Sequence, residues 1–393
     1  MMPSYRIGID VGGTFTDIVA IDQEGAMTFL KTPTTPENQA VGVVNGISHL
    51  AARLRLAQDE LLHRTSRIVH GTTVATNALL ERKGARIALL TTAGHRDVLE
   101  MREGLKLDRY DLRSPPPEPL VPRERRLAIA ERMRADGSVL MPLDQASLTE
   151  ATRQLKQERA EGVAVCYLHS YRNDGHEKQT LDHLRKELPD AYVSLSSEVM
   201  PQIKEYERVS TTAVNAYVGP GVRAYFADLE RKLAEAGFAG TLYIILSHGG
   251  VAPVEEAGRL AAATVLSGPA GGVAGCRHAA LITGNLNLIP FDMGGTSTDI
   301  SLIVAGEAAL SSNRGLAGQR IAMRSLDIIS IGAGGGSIAR AENGALDVGP
   351  QSAGAVPGPA CYGAKGTEPT VTDANVVLGR LDASRPLPGR GAL

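Results

Sequence analysis

The residues of this chain best suited to chemistry come as a pair of matching phrases. Ile-Gly-Ile-Asp10-Val-Gly12-Gly13-Thr14-Phe-Thr16-Asp17-Ile, near the start, returns as Ile-Pro-Phe-Asp292-Met-Gly294-Gly295-Thr296-Ser-Thr298-Asp299-Ile. Each copy runs from an apolar stretch through one aspartate, two glycines and a threonine into a second apolar stretch. That order predicts two β-strands joined by a tight turn whose backbone comes close to a ligand. Two such hairpins facing each other would cradle a polyphosphate, so the duplication points to a nucleotide held between two related lobes.

Each aspartate ends an apolar strand, where a charge is awkward without a cation or a polar cavity. Mg²⁺ on phosphates keeps several waters and takes one or two carboxylates. Asp10 and Asp292 are therefore candidate metal ligands on opposite sides of a triphosphate. The competing reading is a pair of turn aspartates bonded to their own backbone. Gly12, Gly13, Gly294 and Gly295 would offer backbone N–H groups to phosphate oxygens, with the hydroxyls of Thr14 and Thr296 as further donors. Thr16, Asp17, Thr298 and Asp299 either extend this site or close the turns.

Three further clusters are built from similar residues. Gly71-Thr72-Thr73 with Asn77 falls at a strand-to-helix junction, where free N–H groups and the helix dipole attract anions. An ordinary helix cap accounts for the same residues. His70 either faces a substrate or is structural. Ser267-Gly-Pro-Ala-Gly-Gly is a second strand-to-helix turn of this kind. The run Gly332-Ala-Gly334-Gly335-Gly336-Ser337 lacks the Gly-Lys-Ser/Thr of a Walker loop and the GxGxxG of a dinucleotide fold. Its glycine density predicts close backbone passage beside a ligand. Cys361 reads as a lone buried thiol, and no zinc, metalloprotease or Ser-His-Asp signature is present.

The elements that must position these residues follow from periodicity. Strands are expected at Tyr5–Asp10, Asp17–Ile21 and Met27–Lys31, then a helix over Pro36–Leu62. A strand at Arg67–His70, a helix to Arg82 and a strand at Arg86–Thr91 come next, followed by an exposed proline-rich loop over 114–122. Helices over Asp144–Glu161 and His176–Leu188 alternate with strands Val163–Leu168 and Tyr192–Ser196, the pattern of a layered α/β domain. The helical stretch Lys204–Ala236 is expected to break at Gly219-Pro220-Gly221. A strand at Thr241–Ser247, a helix from Ser267 to Leu281 and a helix from Thr372 to Leu381 complete the reading, with a frayed end over 382–393. A junction between 190 and 203 divides the chain into domains 1–195 and 196–393.

At 393 residues the chain exceeds one ordinary core. Its 43% apolar and 21% charged content is that of a globular protein, and a net charge of −2 gives no reason to expect nucleic acid or an anionic membrane. Glycine is raised, at 43 residues, and is concentrated in the blocks above. Three scattered cysteines make a disulfide framework unexpected and fit a reducing compartment. With no signal-peptide pattern and no membrane-length apolar run, the cytoplasm is the expected location.

These phrases resemble the hydantoinase A/oxoprolinase family. Its N-terminal region is similar to Ile-Asp10-Val-Gly-Gly-Thr-Phe-Thr-Asp17 and His70-Gly-Thr-Thr-Val-Ala-Thr-Asn77. Its middle region resembles Glu205-Tyr-Glu207-Arg-Val-Ser210, Ser267-Gly-Pro-Ala-Gly-Gly, Asp292 to Asp299, Ile331-Gly-Ala-Gly-Gly-Gly-Ser and Pro357-Gly-Pro-Ala-Cys361-Tyr-Gly. The resemblance implies an α/β fold of actin/Hsp70/sugar-kinase type (ribonuclease H-like), with duplicated lobes and ATP between them. It implies ATP-dependent opening of a small cyclic amide such as 5-oxoproline or a hydantoin, in an oligomer with a hydantoinase B-like subunit. One branch of the family is similar to the ATP-using subunits of acetone and acetophenone carboxylases, and a truncated nucleotide-binding subunit without turnover is the other alternative. The second lobe is expected to be C-terminally incomplete, because family members typically continue well beyond this point. The family's usual Asp-Ile-His-Thr reads Asp327-Ile328-Ile329-Ser330 here, which removes a histidine from a candidate substrate or metal contact.

Overall fold

The computed structural model describes residues 5–384 apart from 13–14, 36–37, 105–109, 112, 114, 116, 343, 355–356 and 364. Strand β1 (Tyr5–Val11) turns into β2 (Phe15–Ile21) and β3 (Met27–Pro33), an antiparallel meander with the expected limits to within two residues. Alternation sends Ile7, Ile9 and Val11 into the core and Asp10 to the opposite face. The helix expected over 36–62 is two helices, α1 (Gln39–Arg53) and α2 (Gln58–His63). Between them Arg55 takes a φ of 59°, Leu56 N–H donates to Ala51 O (2.9 Å) and Arg55 N–H to Ala52 O (3.1 Å). This is a Schellman end with arginine at the left-handed position usually given to glycine, so residue type gives no stop signal.

Strand β4 (Thr65–Thr72) lies parallel to β1 and leads into α3 (Val74–Leu80). A second sheet follows. Its strands are β5 (Ile87–Thr92), β6 (Arg126–Ile129), β7 (Gly162–Cys166) and β8 (Tyr192–Leu195), in the order β8-β7-β5-β6 and all parallel. The two central strands are buried along their whole length, as parallel strands covered on both faces must be. Helices α4 (Gln145–Gln157) and α5 (Gly175–Glu187) connect its later strands. The proline-rich loop is not exposed at its end: Leu120 and Val121 are buried, and Val121 O accepts from the buried Arg126 Nε.

Helix α6 (Glu205–Glu235) runs without a break through Pro220, against expectation. Pro220 withholds the N–H that would have met Ala216 O, and the next carbonyl along, Tyr217 O, accepts from Ala85 N–H at 2.9 Å. Gly219 serves packing instead, since a Cβ there would fall 2.2 Å from the Tyr192 ring. Strands β9 (Thr241–Ile245) and β10 (Val251–Pro253) then extend the first sheet, giving the order β10-β9-β4-β1-β2-β3. That sheet therefore draws strands from both sides of residue 195.

Helix α7 (Ser267–Thr283) leads to the second copy of the opening phrase: β11 (Phe291–Met293), β12 (Thr298–Ser301) and β13 (Ile328–Ile331), ordered β11-β12-β13. A hairpin of β14 (Ser337–Glu342) and β15 (Ala345–Ser352) and a short helix α8 (Val371–Val377) close the described chain. Residues 302–327, between β12 and β13, form short hairpins that reach back to α6. There the Ser210 hydroxyl donates to Arg320 O (2.9 Å) and accepts from Arg320 N–H (3.1 Å). Ala322 N–H donates to Thr211 Oγ1 (2.9 Å), and Ile321 is buried in the main core. Among the described residues no helix is long and apolar enough to cross a membrane, and all three cysteines are unpaired.

Candidate functional site

The two phrases fold into the same object. In the first, Ile9 pairs with Ile18, Asp10 with Asp17 and Val11 with Thr16. In the second, Phe291 pairs with Ile300, Asp292 with Asp299 and Met293 with Thr298. The turns match as well: Gly12 N–H donates to Phe15 O and Gly294 N–H to Ser297 O, each at 2.9 Å. The likeness extends to a third strand, which the repeated phrase alone does not reveal. Asp17 lies opposite Lys31 of β3, and Asp299 opposite Ser330 of β13.

Asp10 and Asp292 line one cleft of about 710 Å³, together with Asp17, Lys31, Arg53 and the glycines Gly268, Gly271 and Gly272 of α7. The Asp10 carboxylate stands between two backbones without side chains. A Cβ at Gly71, its neighbour on β4, would come 2.9 Å from Asp10 Oδ1, and one at Gly268 would come 3.1 Å from it. A side chain at either position would crowd the carboxylate from that side. Asp10 accepts no hydrogen bond among the described residues. Desolvation within the cleft raises its pKa above the usual 3.8, reinforced by the charges of Asp17 and Asp292 and opposed by Lys31. A carboxylate raised in this way, with two more acids nearby, is a site short of positive charge.

The remaining predicted residues fall into distinct places. Gly13 and Thr14 lie outside the described residues. Thr16 is buried behind the first turn, within 3.1 Å of the Thr34 hydroxyl, which itself donates to Gly12 O at 2.9 Å. Thr298 is its buried counterpart and donates to Ala333 O. The close passage expected of the glycine run is passage against the second turn itself. Gly335 N–H donates to Gly294 O (2.9 Å) and Gly336 N–H to Gly295 O (2.6 Å). A Cβ at Gly334 would lie 2.7 Å from the backbone of Thr296. Gly295 keeps an open face, with nothing within 4 Å of where its Cβ would be.

The structure does not bring Thr72, Thr73 and Asn77 to the Asp10 cleft. Thr72 is buried; its N–H donates to Ser267 Oγ (3.2 Å), whose hydroxyl returns a bond to Thr72 O (2.9 Å). The threonine thus joins β4 to the start of α7. Asn77 Nδ2 donates to Thr73 Oγ1 (3.3 Å), and Asn77 lines a separate depression with Tyr225 and Asp228. His70 is buried and hydrogen-bonds Tyr225 Oη at 2.8 Å; burial pushes its pKa down to about 4. Ile329, where the family's histidine stands, is on the face of β13 opposite to Ser330 and Asp299. Its identity therefore leaves the Asp292 side of the sheet unchanged.

Sequence reasoning missed Lys31 and the three α7 glycines as lining residues. Lys31 could have been found by pairing the first meander. The five-residue turn Asp22–Ala26 sets Asp17 opposite Lys31 on the Asp10 face. The glycines stood in a noted motif, but their approach to Asp10 is set by tertiary packing of α7.

Comparison with known proteins agrees with this duplicated site. The hydantoinase/oxoprolinase profile matches residues 208–392, and that of the hydantoinase/oxoprolinase N-terminal region matches residues 6–188. The chain belongs to the hydantoinase/oxoprolinase family. It is 41% identical over 380 residues to the caprolactamase subunit alpha of Pseudomonas jessenii, covering 96% of this chain and 55% of that protein. The crystal structure of the ATP-dependent caprolactamase from the same organism superposes with a TM-score of 0.85 at 40% identity, over 98% of this chain and 56% of that one. The nucleotide-free structure of acetone carboxylase, an enzyme of ATP-dependent acetone carboxylation, gives a TM-score of 0.83 at 30% identity over 100% of this chain and 57% of its own. The chain spans a little over half the length of these relatives.

Proposed function

We propose that this chain is the A-type subunit of an ATP-dependent enzyme that opens a small cyclic amide, of the 5-oxoproline, hydantoin or caprolactam kind. The observation that carries the reading is the placement of Asp10 and Asp292. They hold equivalent positions in two register-matched hairpins and face one cleft. The hairpins are then corresponding parts of actin/Hsp70/sugar-kinase-like (ribonuclease H-like) lobes, and the phosphates of ATP lie between them. A hydantoinase B-like subunit completes the enzyme, in keeping with relatives that are themselves subunits.

Resonance makes an amide carbon a poor electrophile. Transfer of the γ-phosphoryl to the amide oxygen removes that resonance and creates a leaving group. Water then attacks the carbon of the phosphorylated imidate, the ring C–N bond breaks as the nitrogen takes up a proton, and a second water releases phosphate from the resulting acyl phosphate to leave the open amino acid. Two carboxylates suit Mg²⁺ on phosphates: Asp10 takes no hydrogen bond from the described residues and shares one cleft with Asp292. Asp10 and Asp292 would hold the ion, which when bound neutralises phosphate charge. The open Gly295 face of the second turn admits phosphate oxygens close to the backbone. Thr16 and Thr34 fix the first turn from behind.

The test is phosphate release from Mg-ATP in the presence of the B-type subunit and a lactam. Asp10→Asn and Asp292→Asn each lower turnover about 10²–10³-fold, the usual cost of losing one electrostatic contact to the transferred group. Wild-type turnover in Asp292→Asn overturns the assignment. A second reading, an ATP-using carboxylase subunit, is supported by the superposition of acetone carboxylase over the whole chain. Product analysis with lactams against ketone plus bicarbonate separates the two.

A further inference from the structure

The two repeated sheets differ at one matched position that faces the cleft. Opposite Asp17 the third strand carries Lys31, and opposite Asp299 it carries Ser330. Lys31 Nζ lies 2.8 and 2.7 Å from the two oxygens of Asp17 and 5.2 Å from the centroid of the Phe15 ring. Both members of the pair are about half exposed, and an ion pair so exposed adds little to stability. Folding therefore does not account for the arrangement. What the pair does is hold an ammonium group, on a side chain otherwise free to wander, within the cleft that contains Asp10 and Asp292. Among the described residues the other cation lining the cleft is Arg53, at the end of α1. Lys31 is the one near enough to act on Asp10, whose raised pKa it opposes.

We infer that Lys31, positioned by Asp17, contacts the terminal phosphoryl group of the bound nucleoside triphosphate. The inference rests on the ATP-site reading above and adds a direction to it. With a cation in the first copy and a neutral hydroxyl in the second, the cleft is electrostatically one-sided. The most highly charged end of the nucleotide then lies toward the first hairpin, and the diphosphate portion lies toward the second.

The experiment is calorimetric titration of the whole chain with Mg-ATP and Mg-ADP, for wild type, Lys31→Met, Lys31→Arg and Asp17→Asn. Wild type binds ATP more tightly than ADP. Lys31→Met weakens ATP about tenfold, the loss of one charge-assisted contact, and leaves ADP affinity within twofold. Lys31→Arg retains most of the preference for ATP. Asp17→Asn, which releases the ammonium without removing it, weakens ATP less than Lys31→Met does. Equal ATP and ADP affinity in wild type, or an unchanged ratio in Lys31→Met, overturns the inference while leaving the nucleotide site in place. Wild type that binds neither nucleotide overturns the ATP-site reading and this inference with it. Because Lys31 is half exposed, melting curves of the variants are expected to match wild type, so a changed ratio reports contact and not unfolding.

Discussion

The two hairpins share one backbone plan and have opposite surroundings. In the first, Ile9 and Val11 are 3% and 0% exposed, inside the main core and beside β4. In the second, the matched Phe291 and Met293 are 61% and 47% exposed, and no described strand pairs with the outer edge of β11. Yet the cross-strand pairs are the same and the turn bonds have equal length. The hairpin thus forms in the same register whether or not its apolar face is covered. Burial of its apolar face depends on elements far away in the chain.

That contrast can be broken by mutation. Ile9→Ala should cost about 2–5 kcal/mol through lost burial and the cavity left behind. Phe291→Ala should change stability by no more than about 0.5 kcal/mol. Urea unfolding followed by circular dichroism measures both, and equal costs would mean that the second face is covered in solution. The next effect belongs to the first copy, since among the described residues the second has no counterpart of β4. His70 is held neutral, its pKa moved from 6.5 to about 4. The unfolded chain binds the extra proton, so stability is intact above pH 6.5 and falls as pH drops toward 4. The loss is about 3 kcal/mol at 1.36 kcal/mol per pH unit. His70→Asn should flatten this part of the stability–pH profile, and an unaltered slope would assign it to other groups.

The smallest effect concerns Asp10. Its folded pKa is raised, so the folded state favours the protonated form and stability declines as pH rises through the window above 3.8. Asp10→Asn removes that penalty. Its melting temperature at pH 7 should exceed that of wild type in the absence of nucleotide, even as turnover falls. A lower melting temperature would show that the ionised carboxylate is satisfied in some other way.

Much of this site was legible in the sequence because its signals are local. The repeated phrase gave both hairpins, and an aspartate ending an apolar strand in each marked Asp10 and Asp292. What was not legible depends on packing between distant segments. Thr72 looked like a phosphate ligand, yet its partner is Ser267, 195 residues away. Gly334 to Gly336 looked like a ligand loop because glycine reports close approach without naming the neighbour. Here the neighbour is the backbone of Gly294 to Thr296. The end of α1 was missed because Arg55 occupies a conformation that residue statistics assign to glycine.

The segment 302–327 has a mechanical meaning. By planting Ile321 in the main core and bonding Arg320 and Ala322 to α6, it straps the second hairpin to the body that carries the first. Swinging the jaws apart would pull that isoleucine into water, a cost of about 1.5–3 kcal/mol before any hydrogen bond is counted. Separation of the two carboxylates is therefore resisted by packing as well as by hydrogen bonds.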